Sequence, residues 1–154
     1  MKLFGKILFI TIAIIFISAC QPRKPEKEIA SAVQQNNGDK VSEYLAKGGN
    51  PNAVSRFGDP LLYLAVGRQG GVEVTKILIK AGAKINAQSK SGITALTSAA
   101  SWCNAEEVIL LIQGGADVNL KGKNGRTPIQ SVCETPKKRK QLTIDILTSA
   151  GAIK

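Results

Sequence analysis

The chain has 154 residues and a formal net charge of +10, from 21 Lys and Arg against 11 Asp and Glu. Aromatic residues make up 5% of it and histidine is absent, which removes the commonest general base at neutral pH and the commonest nitrogen ligand for metals. The three cysteines, Cys20, Cys103 and Cys133, have no C-x-x-C spacing of the kind used in zinc and redox sites.

The first segment, residues 1–19, places Lys2 and Lys6 ahead of an almost wholly apolar run from Ile7 to Ile17, interrupted only by Thr11. A membrane-spanning helix needs roughly 20 apolar residues, so this run fits better as the apolar core of a secretory signal peptide. It ends in Ile17-Ser18-Ala19-Cys20, which resembles the lipobox of bacterial lipoproteins. The resemblance implies cleavage just before Cys20, lipidation of its thiol and acylation of the new N-terminus. Gln21, where an aspartate would imply retention at the inner membrane, implies a periplasmic protein anchored to the outer membrane. Each buried CH₂ of an acyl chain contributes about 0.8 kcal/mol to such an anchor. Removal of the leader takes away Lys2 and Lys6 and no acid, so the mature chain stays basic. Residues 20–27, with Pro22, Pro25 and the charges of "QPRKPEK", read as the lipidated tether.

Residues 28–154 repeat themselves. "GGNPN" from Gly48, "GAKIN" from Gly82 and "GADVN" from Gly115 are 34 and 33 residues apart, and "GAIK" begins 36 further on at Gly151. Gly58, Gly92 and Gly125 open "GDPLLYLAV", "GITALTSAA" and "GRTPIQSVC" with the same step. Two markers sharing one period point to a stacked array. Within each unit a first helix is rich in small residues, such as Ala65 and Val66 or Ala99 and Ala100. A second helix has apolar residues at helical spacing, as in Val74, Ile77 and Leu78 or Val108, Leu111 and Ile112. The glycine that follows suits a helix C-cap, where positive φ is needed. No single unit can bury its apolar face, so stability comes from stacking.

This pattern resembles the ankyrin repeat, in which G-x-T-P-L-H-x-A-A opens the first helix and G-A-D-V-N follows the second. "GADVN" with "NGRTPI" downstream is the sharpest match. The resemblance implies an all-α ankyrin-repeat solenoid of about four helix-turn-helix repeats with β-hairpin fingers, its units near 28–53, 54–87, 88–120 and 121–154. The first unit has helices around Ile29–Gln35 and Val41–Ala46 and no finger before them; Gln34, Gln35, Asn36 and Asn37 read as the solvated side chains of a terminal cap. Tyr63, Thr97 and Gln130 stand at the histidine position of the pattern, Pro60 replaces one threonine, and the proline survives only as Pro128. The loss of those histidines implies a less rigidly braced finger. In the last unit "ETPKKRKQ", Glu134 to Gln141, reads as a lengthened turn bearing a basic knob, Lys137 to Lys140.

No catalytic constellation is present. Ser101 and Cys103 have no histidine to activate them, and Glu73, Glu106 and Glu107 read as solvated residues of second helices. No enzyme activity, cofactor or metal is expected. The ankyrin resemblance places Cys103 where the family usually has glycine, and Cys133 one turn earlier in the equivalent helix of the next unit. The two either form a disulfide across the seam between repeats or pack as free thiols.

The resemblance also implies a protein-binding face built from finger tips and first-helix ends. Its finger positions are Arg56, Phe57, Asp59, Lys90, Ser91, Ile93, Lys123, Asn124 and Arg126. Its helix-end positions are Arg68, Gln69, Ser101, Trp102, Glu134 and Thr135. Trp102, the one tryptophan, either meets a partner as an interface anchor or folds back over the adjoining turn. The basic residues on this face favour an acidic-surfaced partner; export argues against nucleic acid. Small exported lipoproteins of this kind resemble immunity proteins that occlude a secreted antibacterial toxin, such as a type VI phospholipase effector. The other expectations are an envelope scaffold for a resident periplasmic enzyme and direct binding to peptidoglycan or anionic lipid.

Overall fold

The computed structural model describes residues 26–67, 71–134 and 136–153. Cys20, Arg68, Gln69 and Thr135 lie outside the described residues. Among the described residues there are seven α-helices: α1 Glu26–Gln34, α2 Gly38–Ala46, α3 Leu61–Ala65, α4 Val72–Lys80, α5 Ala95–Trp102, α6 Ala105–Gln113 and α7 Lys137–Ser149. A 3₁₀ turn, Ile129–Ser131, precedes α7. These elements pack in pairs: α1 on α2, α3 on α4, α5 on α6 and the 3₁₀ turn on α7. Each pair stacks on the next, first element to first element and α2, α4, α6 and α7 in succession.

Helical spacing decides what the layers bury. In α4 the residues turned inward are Val74, Thr75 and Leu78, and in α6 they are Glu107, Val108 and Leu111. The first helices lie between two neighbours and their own partner, so α5 buries Ala95, Leu96, Thr97, Ser98, Ala99 and Ala100 in succession. Alanine and serine at those positions permit that approach. Val33, Val41, Leu61, Leu78, Leu96, Leu111 and Leu147 are among the fully buried apolar points of a single core running through the stack. After the second helices Gly48, Gly82, Gly115 and Gly151 take φ between 78° and 91°, the left-handed conformation that a residue with a Cβ adopts only at a cost.

The asparagine of each "GADVN"-type motif explains why those motifs repeat. Asn52 Oδ1 accepts the N–H of Lys84 at 2.7 Å, Asn86 Oδ1 accepts that of Asp117 at 2.9 Å, and Asn119 Oδ1 accepts that of Ile153 at 2.9 Å. Each side chain therefore satisfies a backbone donor one layer on. Asn52 and Asn119 also donate, to the carbonyls of Gly82 and Gly151.

Three expectations are corrected. The fingers are not β-hairpins: among the described residues there are no strands, only isolated antiparallel bridges at Val54–Pro60 and Gln88–Thr94. Each finger runs from a turn straight into a helix, leaving arms too short to propagate a ladder, and Pro60 has no N–H to donate. The fourth unit lacks a full first helix. After the 3₁₀ turn the chain extends, so Cys133 is not helical; its N–H donates to Ala100 O at 3.3 Å. Finally, Lys137–Gln141 is no lengthened turn but the first part of α7.

The cap residues are not simply solvated either. Asn37 is the N-cap of α2, accepting Lys40 N at 3.0 Å. Asn36, at φ 52°, turns its Oδ1 towards Val74 N of the following layer at 3.2 Å.

Candidate functional site

Three fingers stand in register along one edge of the stack. In each, the backbone closes on itself: Ser55 N donates to Asp59 O at 2.8 Å, Ser89 N to Ile93 O at 2.9 Å and Gly122 N to Arg126 O at 3.0 Å. Hydroxyls hold the first two turns, Ser55 Oγ accepting from Phe57 N and Asp59 N, and Ser89 Oγ accepting from Ile93 N. Gly122 has no hydroxyl, and Asn124 Oδ1 substitutes by accepting Arg126 N at 3.1 Å.

The fingers also touch one another. Asp59 Oδ1 accepts Lys90 N at 3.3 Å, and Lys123 Nζ donates to Lys90 O at 2.7 Å. The approach is close enough that a Cβ on Gly92 would lie 2.4 Å from Lys123 Cγ. The row is thus continuous over three layers.

At its first end Arg56 lies over the Phe57 ring, 4.5 Å from the centroid, and Phe57 is 60% exposed. Between this finger and α1 runs a groove of about 240 Å³, lined by Ala30, Gln34, Ser55, Arg56, Phe57 and Leu64 among others. A larger recess of about 630 Å³ lies between α1 and α2 and includes no finger residue. Trp102 ends α5 and is 48% exposed.

Of the remaining candidate positions, Ser91, Lys90, Lys123, Asn124 and Arg126 are exposed, whereas Ile93 is half-buried. Ser101 Oγ is engaged with Ser98 O at 2.8 Å. Glu134 pairs with Lys140 at 2.7 Å, and that cation holds its carboxyl below the usual carboxylate range. The bracing lost with the absent histidines is partly made up locally: Thr97 bonds Thr94 Oγ1, and Gln130 Oε1 accepts Thr127 N.

Two features lie behind the finger edge. Cys103 and Cys133 are joined, their Sγ atoms 2.06 Å and their Cα atoms 5.6 Å apart, linking the end of α5 to the fourth unit. Cys103 closes α5 at φ 51°, the left-handed conformation that glycine would adopt more readily.

The second feature is Glu107. Expected to be solvated, it is instead fully buried. Its carboxylate accepts Gly71 N at 2.6 Å and Asn104 Nδ2 at 2.9 Å. Burial pushes its carboxyl up to about 7, against those two hydrogen bonds that lower it, and the neighbouring charge of Glu106 adds to the rise. The signal for it was in the sequence: Glu107 is four residues before buried Leu111, on the apolar face of α6. Gly71 opens α4 without a capping side chain. The donors at that helix start are therefore met from both neighbouring layers, by Glu107 and Asn36.

Helix pairs stacked through small-residue faces, with turns projecting along one edge, define a helical-repeat protein. The family model "Ankyrin repeats (3 copies)" matches residues 29–122 and 62–151. The chain belongs to the ankyrin-repeat family, whose members serve as protein–protein interaction modules. A stretch of 75 residues is 40% identical to SH3 and multiple ankyrin repeat domains protein 1 of Homo sapiens, and equally to the Mus musculus and Rattus norvegicus proteins of that name. That stretch is 48% of this chain and 4% of each relative, so the chain spans only a small fraction of the length of the curated relatives it matches.

Proposed function

We propose that the protein is a lipid-anchored periplasmic binding module, specifically an immunity protein that binds and occludes a secreted antibacterial toxin such as a type VI phospholipase effector. The observation that carries the binding reading is the exposure of Phe57 at the finger edge and of Trp102 at the end of α5, while the main apolar set is buried between layers. Tryptophan and arginine, here Trp102 and the Arg56 that covers Phe57, are among the residue types that dominate interface energies. The leader ending at Cys20 supports an exported, anchored protein. The Cys103–Cys133 bridge supports the same placement, since disulfides persist in oxidising compartments. In this reading a basic edge held at the membrane covers the toxin's entrance.

The test is affinity purification of the full chain from envelope extracts of cells producing the candidate toxin, repeated with Trp102→Ala. A one-to-one partner recovered by the parent and lost by the variant is expected. Undiminished recovery by Trp102→Ala refutes the assignment of this face. Deletion of the gene should harm cells only when the toxin is delivered; an envelope defect without any toxin refutes immunity in favour of a scaffold.

A further inference from the structure

We propose that Arg56, Lys90 and Lys123 form a ladder that takes an extended acidic segment of the partner protein, one carboxylate to each finger. The proposal rests on the binding-module reading of the finger edge and specifies what that edge accepts. The three residues occupy the same place in their turns, immediately after Ser55, Ser89 and Gly122, whose N–H groups close the fingers. All three are exposed. The contacts of Asp59 with Lys90 N and of Lys123 Nζ with Lys90 O hold the fingers in one row, so the residues that carry the cations repeat once per layer.

Packed helices lie about 8–10 Å apart, which sets the step of the ladder. An extended polyproline-II-like segment turns once in three residues and rises about 3.1 Å per residue, so every third side chain returns to the same face after about 9 Å. A segment with an acid at every third position therefore matches the fingers one for one. A β-strand fits less well, because residues three apart point to opposite faces.

Arg56 is held by the Phe57 ring, whereas Lys123 Nζ reaches onto Lys90 O, so a carboxylate at the third finger must share or displace that bond. The groove beside Arg56, walled by Phe57 and Leu64, gives the segment an end that accepts an apolar side chain. Asp59, which faces this row, disfavours acids placed out of step. Ser91 and Asn124, which follow Lys90 and Lys123, are exposed and uncharged, whereas Lys121 and Arg126 add exposed cations at the third finger, so a lipid surface is tested beside the peptide.

The experiment uses the full chain in detergent at about 0.15 M salt, where surface charges are screened beyond about 8 Å. The probes are a nine-residue serine-based peptide with aspartate at every third position and an isomer with its aspartates contiguous. Fluorescence anisotropy should show the spaced peptide binding at least about fivefold tighter, with Arg56→Gln and Lys90→Gln each weakening it about two- to fivefold, as single exposed ion pairs do. Lys76→Gln and Lys80→Gln on exposed positions of α4 make the same charge change away from the fingers and should leave binding unaltered. Equal affinity for the two peptides, no binding of the spaced peptide at 1 mM (about the concentration scale of the weakest specific contacts), or equal loss in the α4 variants overturns the ladder. So does tighter, Lys90-dependent adsorption to phosphatidylglycerol vesicles than to the peptide. If envelope extracts yield a Trp102-dependent partner that Arg56→Gln and Lys90→Gln still bind, the ladder fails and the binding module stands. If no partner is recovered, the module reading itself fails.

Discussion

Replacing both bridged cysteines, Cys103→Ser with Cys133→Ser, tests how the fourth unit is held. The two residues are 30 apart in sequence. In the chain-entropy account, closing a loop of that size stabilises the fold by about 3.5 kcal/mol. A repeat domain of about 125 residues has an unfolding entropy of about 2.1 cal/mol/K per residue, so the midpoint of thermal unfolding should fall by about 13 °C if the stack melts as one. The fourth unit makes the loss uneven. Its first element is only the 3₁₀ turn Ile129–Ser131, and α7 is held through Leu147 and Thr143 against α6 and that turn. Stability in repeat arrays is a sum of units and their interfaces, so hydrogen exchange should quicken most in residues 129–149 and least in α1 to α4. A second variant separates the bridge from the backbone. Cys103→Gly with Cys133→Ser also removes the disulfide but relieves the left-handed residue, and should recover about 1 kcal/mol relative to the serine pair. Calorimetry and exchange mass spectrometry under oxidising conditions read both effects. A serine pair melting within 3 °C of the parent (less than about 1 kcal/mol on this scale) refutes the reasoning, as does uniform loss of protection along the chain.

Glu107 predicts a pH dependence of defined sign. Its carboxyl is raised from 4.5 to about 7 in the fold, so the folded chain holds this proton where the unfolded chain has lost it, and this contribution is most favourable below pH 4.5 and is lost as pH rises through 7. The difference in urea stability between the parent and Glu107→Gln should change by about 3 kcal/mol from pH 4.5 to 8, against the parent; a pH-independent difference refutes the burial account. Glu107→Ala should cost more than the glutamine at pH 5, by about 1–3 kcal/mol, because Gly71 N–H loses its partner inside the stack. Asn119→Ala removes two bonds to the last turn and should cost about 1–2 kcal/mol in urea unfolding. Trp102→Ala should weaken the partner complex by about 2 kcal/mol or more, measured by calorimetric titration, with a thermal midpoint close to that of the parent.

The period of about 33 residues made the layers legible, because it repeats the residues that the stack uses one layer apart: the small inner faces, the left-handed glycines and the Asn52, Asn86, Asn119 series. What the period hid was departure from it. Glu107 reads as one of two adjacent surface acids until the helical spacing to Leu111 is given weight over its charge. Asn36 reads as a solvated cap residue because its acceptor role is completed by Val74, 38 positions on, which local sequence cannot show. The shortening of the fourth unit goes with the extended backbone at Val132, where the chain docks against Ala100 through Cys133 N–H. The fingers were expected as hairpins from their family pattern alone; arm length, which decides whether bridges propagate, is set by where the following helix begins.

Cohesion and recognition draw on different residues of each unit. Away from the fingers, bonds that cross between layers come from Asn36, Asn52, Asn86, Glu107 and Asn119, placed at helix ends and in the turns after second helices, and from Ser98 within α5. At the finger tips Phe57, Lys90 and Arg126 remain exposed, while Asp59 and Lys123 give their side chains to a neighbouring finger. Because Gly71 and Val74 of α4 are satisfied by the following and the preceding layer respectively, the first three layers are interlocked before the disulfide adds the fourth. A tip therefore stands on a base whose stability does not depend on its own side chain. Substitutions at Arg56 and Lys90 should change what the edge binds while leaving unfolding nearly unchanged, and Glu107 or Asn119 should do the reverse; a tip variant that lowers both equally would show that the two sets are one.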